Sequence, residues 1–151
     1  MSDGEIPWLT EDEQTSWRNY LRASRALEAA LDNELQNAGL SLAEYELISM
    51  LSEAPDQSMR MSELAALIVQ SRSRVTHTAN RLAGRGWVVR EPCADDRRGI
   101  RLVLTDTGRA AIERASRVHV VGVRQHFLSQ LEPGQFQAVG DAMGRVREHL
   151  L

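Results

Sequence analysis

Residues 61–105 decide the fold, and they read MSELAALIVQSRSRVTHTANRLAGRGWVVREPCADDRRGIRLVLT. Apolar residues recur every three or four positions over residues 63–69 and 72–83, which predicts two short helices. Gln70-Ser71 is a polar break between them, and Gly84-Arg85-Gly86 ends the second helix. Two short helices joined by a brief turn indicate a helix-turn-helix.

A β-hairpin is expected directly after the second helix. Residues 87–91 and 100–104 favour strands, and the polar residues 92–99 join them. Residues 59–61 supply a candidate for a small third strand. A helix-turn-helix followed by such a hairpin, or wing, predicts a winged helix-turn-helix.

Amphipathic helices are expected on both sides of this segment. Capping boxes at residues 10–13 and 41–44 predict the starts of the first two helices. Ser62 is the predicted cap of the first short helix, and Thr105 caps the helix that follows the wing. Pro133 suits the first position of the last helix.

Charge is distributed unevenly along the chain. The segment 61–105 holds eight arginines and four acidic residues, a net charge of +4, which leaves −7 for the remainder of a chain whose total is −3. A basic segment between acidic flanks is expected when one surface meets phosphate. On the second helix, polar and basic side chains occupy the outward arc, where they can bind base edges in the major groove or phosphates. A merely solvated helix face is the alternative interpretation.

The predicted hairpin tip strengthens the DNA-binding interpretation. Arg97 and Arg98 stand there on an extended ribbon, from which a guanidinium can enter the minor groove. We expect Asp96 to hold Arg98 through a charge-assisted pair. Turn formation and solubility would explain this loop alone, but they explain a basic wing beside a helix-turn-helix poorly.

Both terminal helices carry apolar stripes too long to cover each other within one subunit, which predicts a homodimer. We expect residues 10–53 and 106–151 to form a helical dimerisation region and residues 54–105 to form the winged unit. Two-fold symmetry then predicts a pseudo-palindromic DNA site with half-sites about one helical turn (~10 bp) apart.

Three motifs in order resemble the MarR (multiple antibiotic resistance regulator) family. They are RLAGRGWVVR at residues 81–90, DDRRGI at residues 95–100 and LTDTG at residues 104–108. These are similar to the end of the family's recognition helix, its Asp-x-Arg wing and its Leu-Thr-x-x-Gly start of the next helix. The resemblance covers residues 17–150 and implies a mainly α, six-helix, triangular dimer with a small β wing.

The resemblance also implies roles for individual residues. Asp96 and Arg98 would be the acid and the tip arginine of the wing motif, while Ser73 and His77 match positions that face bases. His77 departs from the pattern, because this family often has arginine there, and histidine is a weaker and pH-sensitive reader. The predicted DNA contacts are Arg72, Ser73, Arg74, Thr76, His77, Arg81, Asp96, Arg97 and Arg98.

Regulators of this family commonly bind small aromatic acids or phenols between the dimer helices and the winged unit. The helices that would line such a cleft supply five candidate ligand contacts, although core packing explains the aromatic ones equally well: Trp17, Tyr20, Arg25, Tyr45 and Met50. His119 and His126 lie two turns apart on one helix, which leaves open a zinc site across a dimer or interface hydrogen bonds.

Cys93 is the single cysteine, and we expect it to be exposed in the wing. Arg90, Arg97 and Arg98 would be close enough to stabilise its thiolate, so a redox-sensing regulator is one alternative. A winged-helix module that binds proteins and has lost DNA binding is another, although the intact basic wing argues against it.

The sequence lacks a nucleophile paired with a base, a phosphate-binding glycine loop and a cluster of metal ligands. We therefore expect neither enzymatic activity nor a cofactor. There is no run of 18 apolar residues, and the acidic N-terminus does not resemble a secretory signal, so we expect a cytoplasmic protein without membrane contact. The combined expectation is a sequence-specific DNA-binding regulator, acting as a ligand-responsive repressor.

Overall fold

The computed structural model describes residues 6–68 and 70–151, and within them it contains six α-helices and one three-stranded sheet. The mainly α fold with a small β wing is therefore confirmed. In chain order the helices are α1 (Glu11–Asn37), α2 (Leu42–Glu53), α3 (Met61–Leu67), α4 (Arg72–Gly84), α5 (Asp106–His126) and α6 (Gln135–Leu150), and the strands are β1 (Ser58–Arg60), β2 (Val88–Cys93) and β3 (Asp96–Leu104).

Three of the longer helices begin at a residue whose side chain caps the helix, as predicted. The Thr10 hydroxyl accepts the Glu13 amide at 3.2 Å, and the Glu13 carboxylate accepts the Thr10 amide at 2.8 Å. The same reciprocal pair joins Ser41 and Glu44 at the start of α2. At the start of α5, the Thr105 hydroxyl accepts the amide of the first-turn glycine at 3.1 Å.

Two predicted helix starts are wrong. Helix α3 begins one residue before Ser62, which lies inside its first turn, and the Glu63 carboxylate instead reaches back to the Arg60 amide at 3.4 Å. Helix α6 begins after Gly134, whose φ of +85° lies in the left-handed region, so Pro133 precedes the helix. The predicted end of the third helix, at Val69, lies outside the described residues.

The sheet has the order β1-β3-β2, and both pairings are antiparallel. The third strand predicted before α3 is confirmed. The wing is more regular than predicted, because β2 and β3 pair almost to the tip and leave only Ala94 and Asp95 between them. The register shifts between Pro92 and Cys93, which marks a bulge near the end of the hairpin.

One apolar core joins the helical region to the winged unit. Leu35 of α1 and Leu47 of α2 belong to the same cluster as Leu82 of α4 and Leu102 of β3, and all four are fully buried. The buried faces of α3 and α5 contribute to this cluster as well. The position of α4 is thus fixed by packing against α2 and the sheet.

Helix α6 differs from the other long helices, because none of its residues is buried within the chain. Its apolar stripe remains open, with Val146 46% and Leu150 69% exposed. Trp17 of α1 and Val121 of α5 are also more than half exposed. Among the described residues, no helix has the length and apolar character needed to cross a membrane.

Gly108 allows the start of α5 to approach the chain just before β2. A Cβ atom there would lie 2.1 Å from the Trp87 carbonyl oxygen and 2.7 Å from a methyl carbon of Leu104. Gly108→Ala should therefore destabilise the fold by about 1–3 kcal/mol or more, because backbone must move. Denaturant unfolding at a fixed protein concentration measures the effect.

The matched control is Gly84→Ala in the last turn of α4. A Cβ atom at Gly84 meets nothing within 4 Å, so this variant should unfold at a denaturant concentration equal to or above that of the wild type. Equal stability of the two variants would contradict the close approach at Gly108.

Candidate nucleic-acid interface

Helix α4, here called the recognition helix, separates its buried and exposed faces as the sequence indicated. Val75, Thr78, Ala79 and Leu82 are buried against the core. The exposed arc carries all six predicted contacts of this helix: Arg72, Ser73, Arg74, Thr76, His77 and Arg81. Their exposure agrees with a role at a DNA surface, and that role stays a prediction.

The first turn of the recognition helix is fixed by its own polar side chains. The Ser71 hydroxyl accepts the Arg74 amide at 3.3 Å and lies 3.2 Å from the Ser73 hydroxyl. Thr76 donates its hydroxyl to the Arg72 carbonyl at 2.8 Å. The Ser71 hydroxyl thus caps the helix and contacts the side chain of Ser73, one of the predicted DNA contacts.

The wing tip is anchored by Arg60 of β1. An Nη atom of Arg60 lies 2.6 Å from both carboxylate oxygens of Asp95, and the guanidinium lies 4.0 Å from Asp96. Asp96 accepts the backbone N–H of Arg98 at 3.0 Å. The predicted ion pair between Asp96 and the Arg98 side chain is therefore wrong, because Asp96 orders the turn through the Arg98 amide.

A basic groove of about 360 Å³ lies between the wing and the recognition helix, and we call it the wing groove. Arg60, Arg72 and Arg98 line it, together with the Thr76 side chain and the half-exposed Ile100. Arg60 is paired with Asp95 and Asp96, and Asp96 also lines the groove, so Arg72 and Arg98 are the guanidinia left to attract a phosphate backbone through charge-assisted hydrogen bonds.

The eight arginines of the basic segment fall into two groups. Four are held by the fold: Arg81 and Arg85 contact Glu44, Arg90 donates to Asn80, and Arg101 donates to the Ser58 hydroxyl at 2.7 Å. For the other four, the described residues supply no side-chain ion-pair or hydrogen-bond partner: Arg72, Arg74, Arg97 and Arg98. The unengaged arginines all lie on the recognition helix or the wing tip.

Sequence reasoning missed Glu44 and Arg60 as organisers of this surface. Glu44 was interpreted only as the acid of a capping box, and Arg60 lies before the basic segment. Arg81 and Arg85 lie four residues apart on one helix, which was the available signal for a shared acidic partner.

The five predicted ligand residues are not brought together within the chain. Trp17 and Tyr20 stack with ring centroids 5.7 Å apart and line an open apolar groove beside the end of α6. Tyr45 and Met50 line a different groove of about 320 Å³, next to Leu67 and Ile68 at the end of α3. Arg25 is exposed and lines neither groove.

The two histidines of α5 have separate surroundings. His119 packs against the Tyr45 ring, with centroids 4.4 Å apart, and its burial lowers its pKa. His126 lies 2.6 Å from the Glu34 carboxylate of α1. Among the described residues, no group of three or more His, Cys, Asp or Glu side chains is placed to hold a metal ion.

A half-buried carboxyl group, that of Glu46, follows Tyr45 on α2. Burial raises the pKa of Glu46, and the negative charge of Glu28 raises it further. The groove that contains Tyr45 therefore combines an aromatic ring with a carboxyl group whose pKa is raised.

Cys93 is buried, with 5% of its surface exposed, so the expectation of an exposed thiol is wrong. Cys93 follows the register shift at Pro92, and a Cβ atom on Gly99 would lie 3.0 Å from its sulfur. Oxidants reach a buried thiol slowly, which removes the basis of the redox-sensing alternative.

A helix-turn-helix with an antiparallel wing beside its second helix defines the winged helix-turn-helix class of DNA-binding proteins. The model of the MarR family matches residues 38–99 of the chain. The HTH-type transcriptional regulator PecS of Dickeya dadantii (strain 3937) is 30% identical over 132 residues, which are 86% of this chain and 78% of PecS.

Two solved structures agree closely with the fold. Sco3205, a MarR family transcriptional regulator from Streptomyces coelicolor whose structure is a complex with DNA, has a TM-score of 0.92 and 41% identity over 98% of this chain and 93% of its own. AbsC, a MarR family transcriptional regulator from the same organism, has a TM-score of 0.89 and 39% identity over 96% of this chain and 98% of its own.

The chain belongs to the MarR family. It is a DNA-binding transcription regulator, and its relatives are regulators rather than enzymes, as the sequence predicted. The match to the family model begins before α2, includes both helices of the helix-turn-helix and ends in the first residues of β3.

Arg98 offers the sharpest test of the wing. Arg98→Ala should weaken DNA binding and reduce the slope of log K against log salt by about 0.9 for each lost phosphate contact. Fluorescence-anisotropy titrations at several salt concentrations measure both quantities. The control is Arg18→Ala on α1, which removes the same charge outside the basic segment and should leave the slope unchanged. Wild-type affinity and slope for Arg98→Ala would exclude the wing as a DNA contact.

Proposed function

We propose that the protein is a homodimeric, ligand-responsive repressor that acts in the cytoplasm on a pseudo-palindromic operator. The observation that carries this proposal is the distribution of unengaged arginines, which cluster on the recognition helix and the wing tip. The recognition helix enters the major groove, where Ser73 and His77 face bases, and the wing inserts Arg97 and Arg98 along the neighbouring backbone or minor groove.

The exposed apolar stripes support the homodimer. Helix α6 buries none of its side chains within the chain, and its end forms an apolar groove of about 670 Å³ with Trp17 and Tyr20 of α1. A helix with an uncovered apolar stripe gains stability from a partner, because burial removes that surface from water. A second copy supplies the same stripes in a two-fold arrangement.

The complex of Sco3205 with DNA supports a DNA-bound state for this chain, since the two proteins share 41% of their residues over nearly their whole length. A dimer that occupies both half-sites of the operator represses transcription, because it excludes other proteins from that DNA. The wing groove and the recognition helix together supply phosphate contacts that hold the register, while His77 and Ser73 supply the sequence preference.

Ligand response is assigned to the groove that contains Tyr45. It lies between α2 and the end of α3, so an occupant would contact both the helical region and the first helix of the winged unit. An aromatic acid or phenol fits the aromatic ring, the Met50 side chain and the Glu46 carboxyl group of this groove. It releases the DNA only if it binds one spacing of the two recognition helices more tightly than the other.

Selection from random double-stranded DNA tests the function. The proposal predicts enrichment of a pseudo-palindrome that binds two chains, with an affinity that falls steeply as salt rises. Absence of enrichment, with only weak and sequence-independent binding, would contradict it and favour a winged-helix module whose partner is a protein.

His77 tests the assignment of base readout. His77→Ala should reduce the preference for the selected site over sites altered at one position, at a cost of about 1–3 kcal/mol for that position alone. Competition titrations with single-base variants of the operator measure this cost, and His149→Ala in α6 is the control. An equal loss of affinity on every sequence would make His77 a backbone contact.

A further inference from the structure

Glu44 is buried at the junction between α1 and α2, and its side chain is only 3% exposed. One carboxylate oxygen accepts the backbone N–H of Ser41 at 2.8 Å and completes the α2 cap. The other oxygen faces the last turns of the recognition helix. A buried carboxylate requires partners there, because an uncompensated charge removed from water is costly.

Arg81 of the recognition helix and Arg85, the residue that follows its last turn, supply those partners. The Nε atoms of Arg81 and Arg85 lie 3.7 Å and 3.4 Å from the same Glu44 oxygen. Arg81 also donates to the Ser41 hydroxyl at 3.3 Å, and Arg85 donates to the Gly39 carbonyl at 2.5 Å. The end of the recognition helix is thus tied to the turn that connects α1 with α2.

Arg85 is further restrained by Trp87, since its guanidinium lies 4.7 Å from the centre of that ring. Such a cation–π contact limits the positions that the side chain can adopt. Apolar packing between α2 and α4 is non-directional, whereas the hydrogen bonds of Arg81 to Ser41 and of Arg85 to Gly39 depend on orientation. These hydrogen bonds, together with the charge of Glu44 beside both guanidinia, restrict the angle at which the recognition helix leaves the helical region.

We propose that Glu44 is a positioning residue that fixes the angle of the recognition helix against the dimer region and so sets which half-site spacing the dimer accepts. This inference rests on the proposed function, because spacing has meaning only for a dimer with two recognition helices. It also reassigns Arg81, which acts through Glu44 rather than as a DNA contact.

The test compares operators in which the spacing between half-sites is unchanged, shortened by one base pair or lengthened by one base pair. Glu44→Gln keeps an oxygen for the α2 cap but removes the charge that holds both arginines. Its preference for the correct spacing should fall about tenfold or more, while its salt slope should equal that of the wild type because no phosphate contact is lost.

Arg81→Ala is the second variant, and it leaves the Arg85 contact in place. It should also reduce spacing preference without changing the salt slope, and the double variant should lose less than the sum of the two single losses. The matched control is Glu53→Gln, since Glu53 is an exposed carboxylate of the same helix. This control should keep the spacing preference of the wild type.

The results of these binding experiments distinguish the positioning role of Glu44 from the proposed dimeric function. A wild-type protein that is indifferent to spacing would contradict the proposed dimeric function. If the wild type prefers one spacing and both variants keep that preference, with only a lowered melting temperature, then Glu44 is merely structural and the inference is overturned. A salt slope lowered by about 1 in Arg81→Ala would also overturn it, because Arg81 would then contact a phosphate.

Discussion

The burial of one face of the recognition helix constrains the rest of the structure. Val75, Ala79 and Leu82 are almost completely buried, and they pack into a core that also contains Leu47 of α2 and Leu102 of β3. Because this face is fixed, the polar face of the helix must point outward at one orientation. The wing then extends beside that face, since its strands continue from the same core. The orientation of the surface that reads DNA is therefore set by apolar side chains that do not themselves contact DNA.

The arginines of residues 61–105 differ in whether the fold supplies partners for their side chains. The basic segment carries a net charge of +4, yet half of its eight arginines are engaged within the fold. Those that remain unengaged surround the open arc of α4 and the hairpin tip, where Asp95 and Asp96 organise the turn. The acids in the wing thus pair with Arg60 and with none of these four arginines. They hold Arg60 and the turn backbone, so Arg97 and Arg98 remain available at the tip.

The sequence predicted well those features that depend on neighbouring residues. The capping boxes, the glycine end of α4 and the hairpin all follow from local hydrogen bonding and periodicity. Ser62 is not the cap because α3 begins one residue earlier, where the Glu63 carboxylate accepts the Arg60 amide. The exposure of Cys93 was wrong because residues 92–99 were predicted to be a polar loop, whereas β2 extends to Cys93, where Gly99 leaves room for the sulfur. The contacts of Glu44 with Arg81 and Arg85 span about forty residues, so the spacing of the two arginines indicates a shared acidic partner without identifying it.

A hydroxyl-radical footprint of the wild-type protein on its selected operator is the most direct test of this account. A dimer with two recognition helices should protect two patches on one face of the duplex, about 10 bp (one helical turn) apart. Further backbone protection should lie beside each patch, where the wings contact the DNA. A single patch, or uniform protection without two-fold symmetry, would contradict the placement of two recognition helices by a dimer.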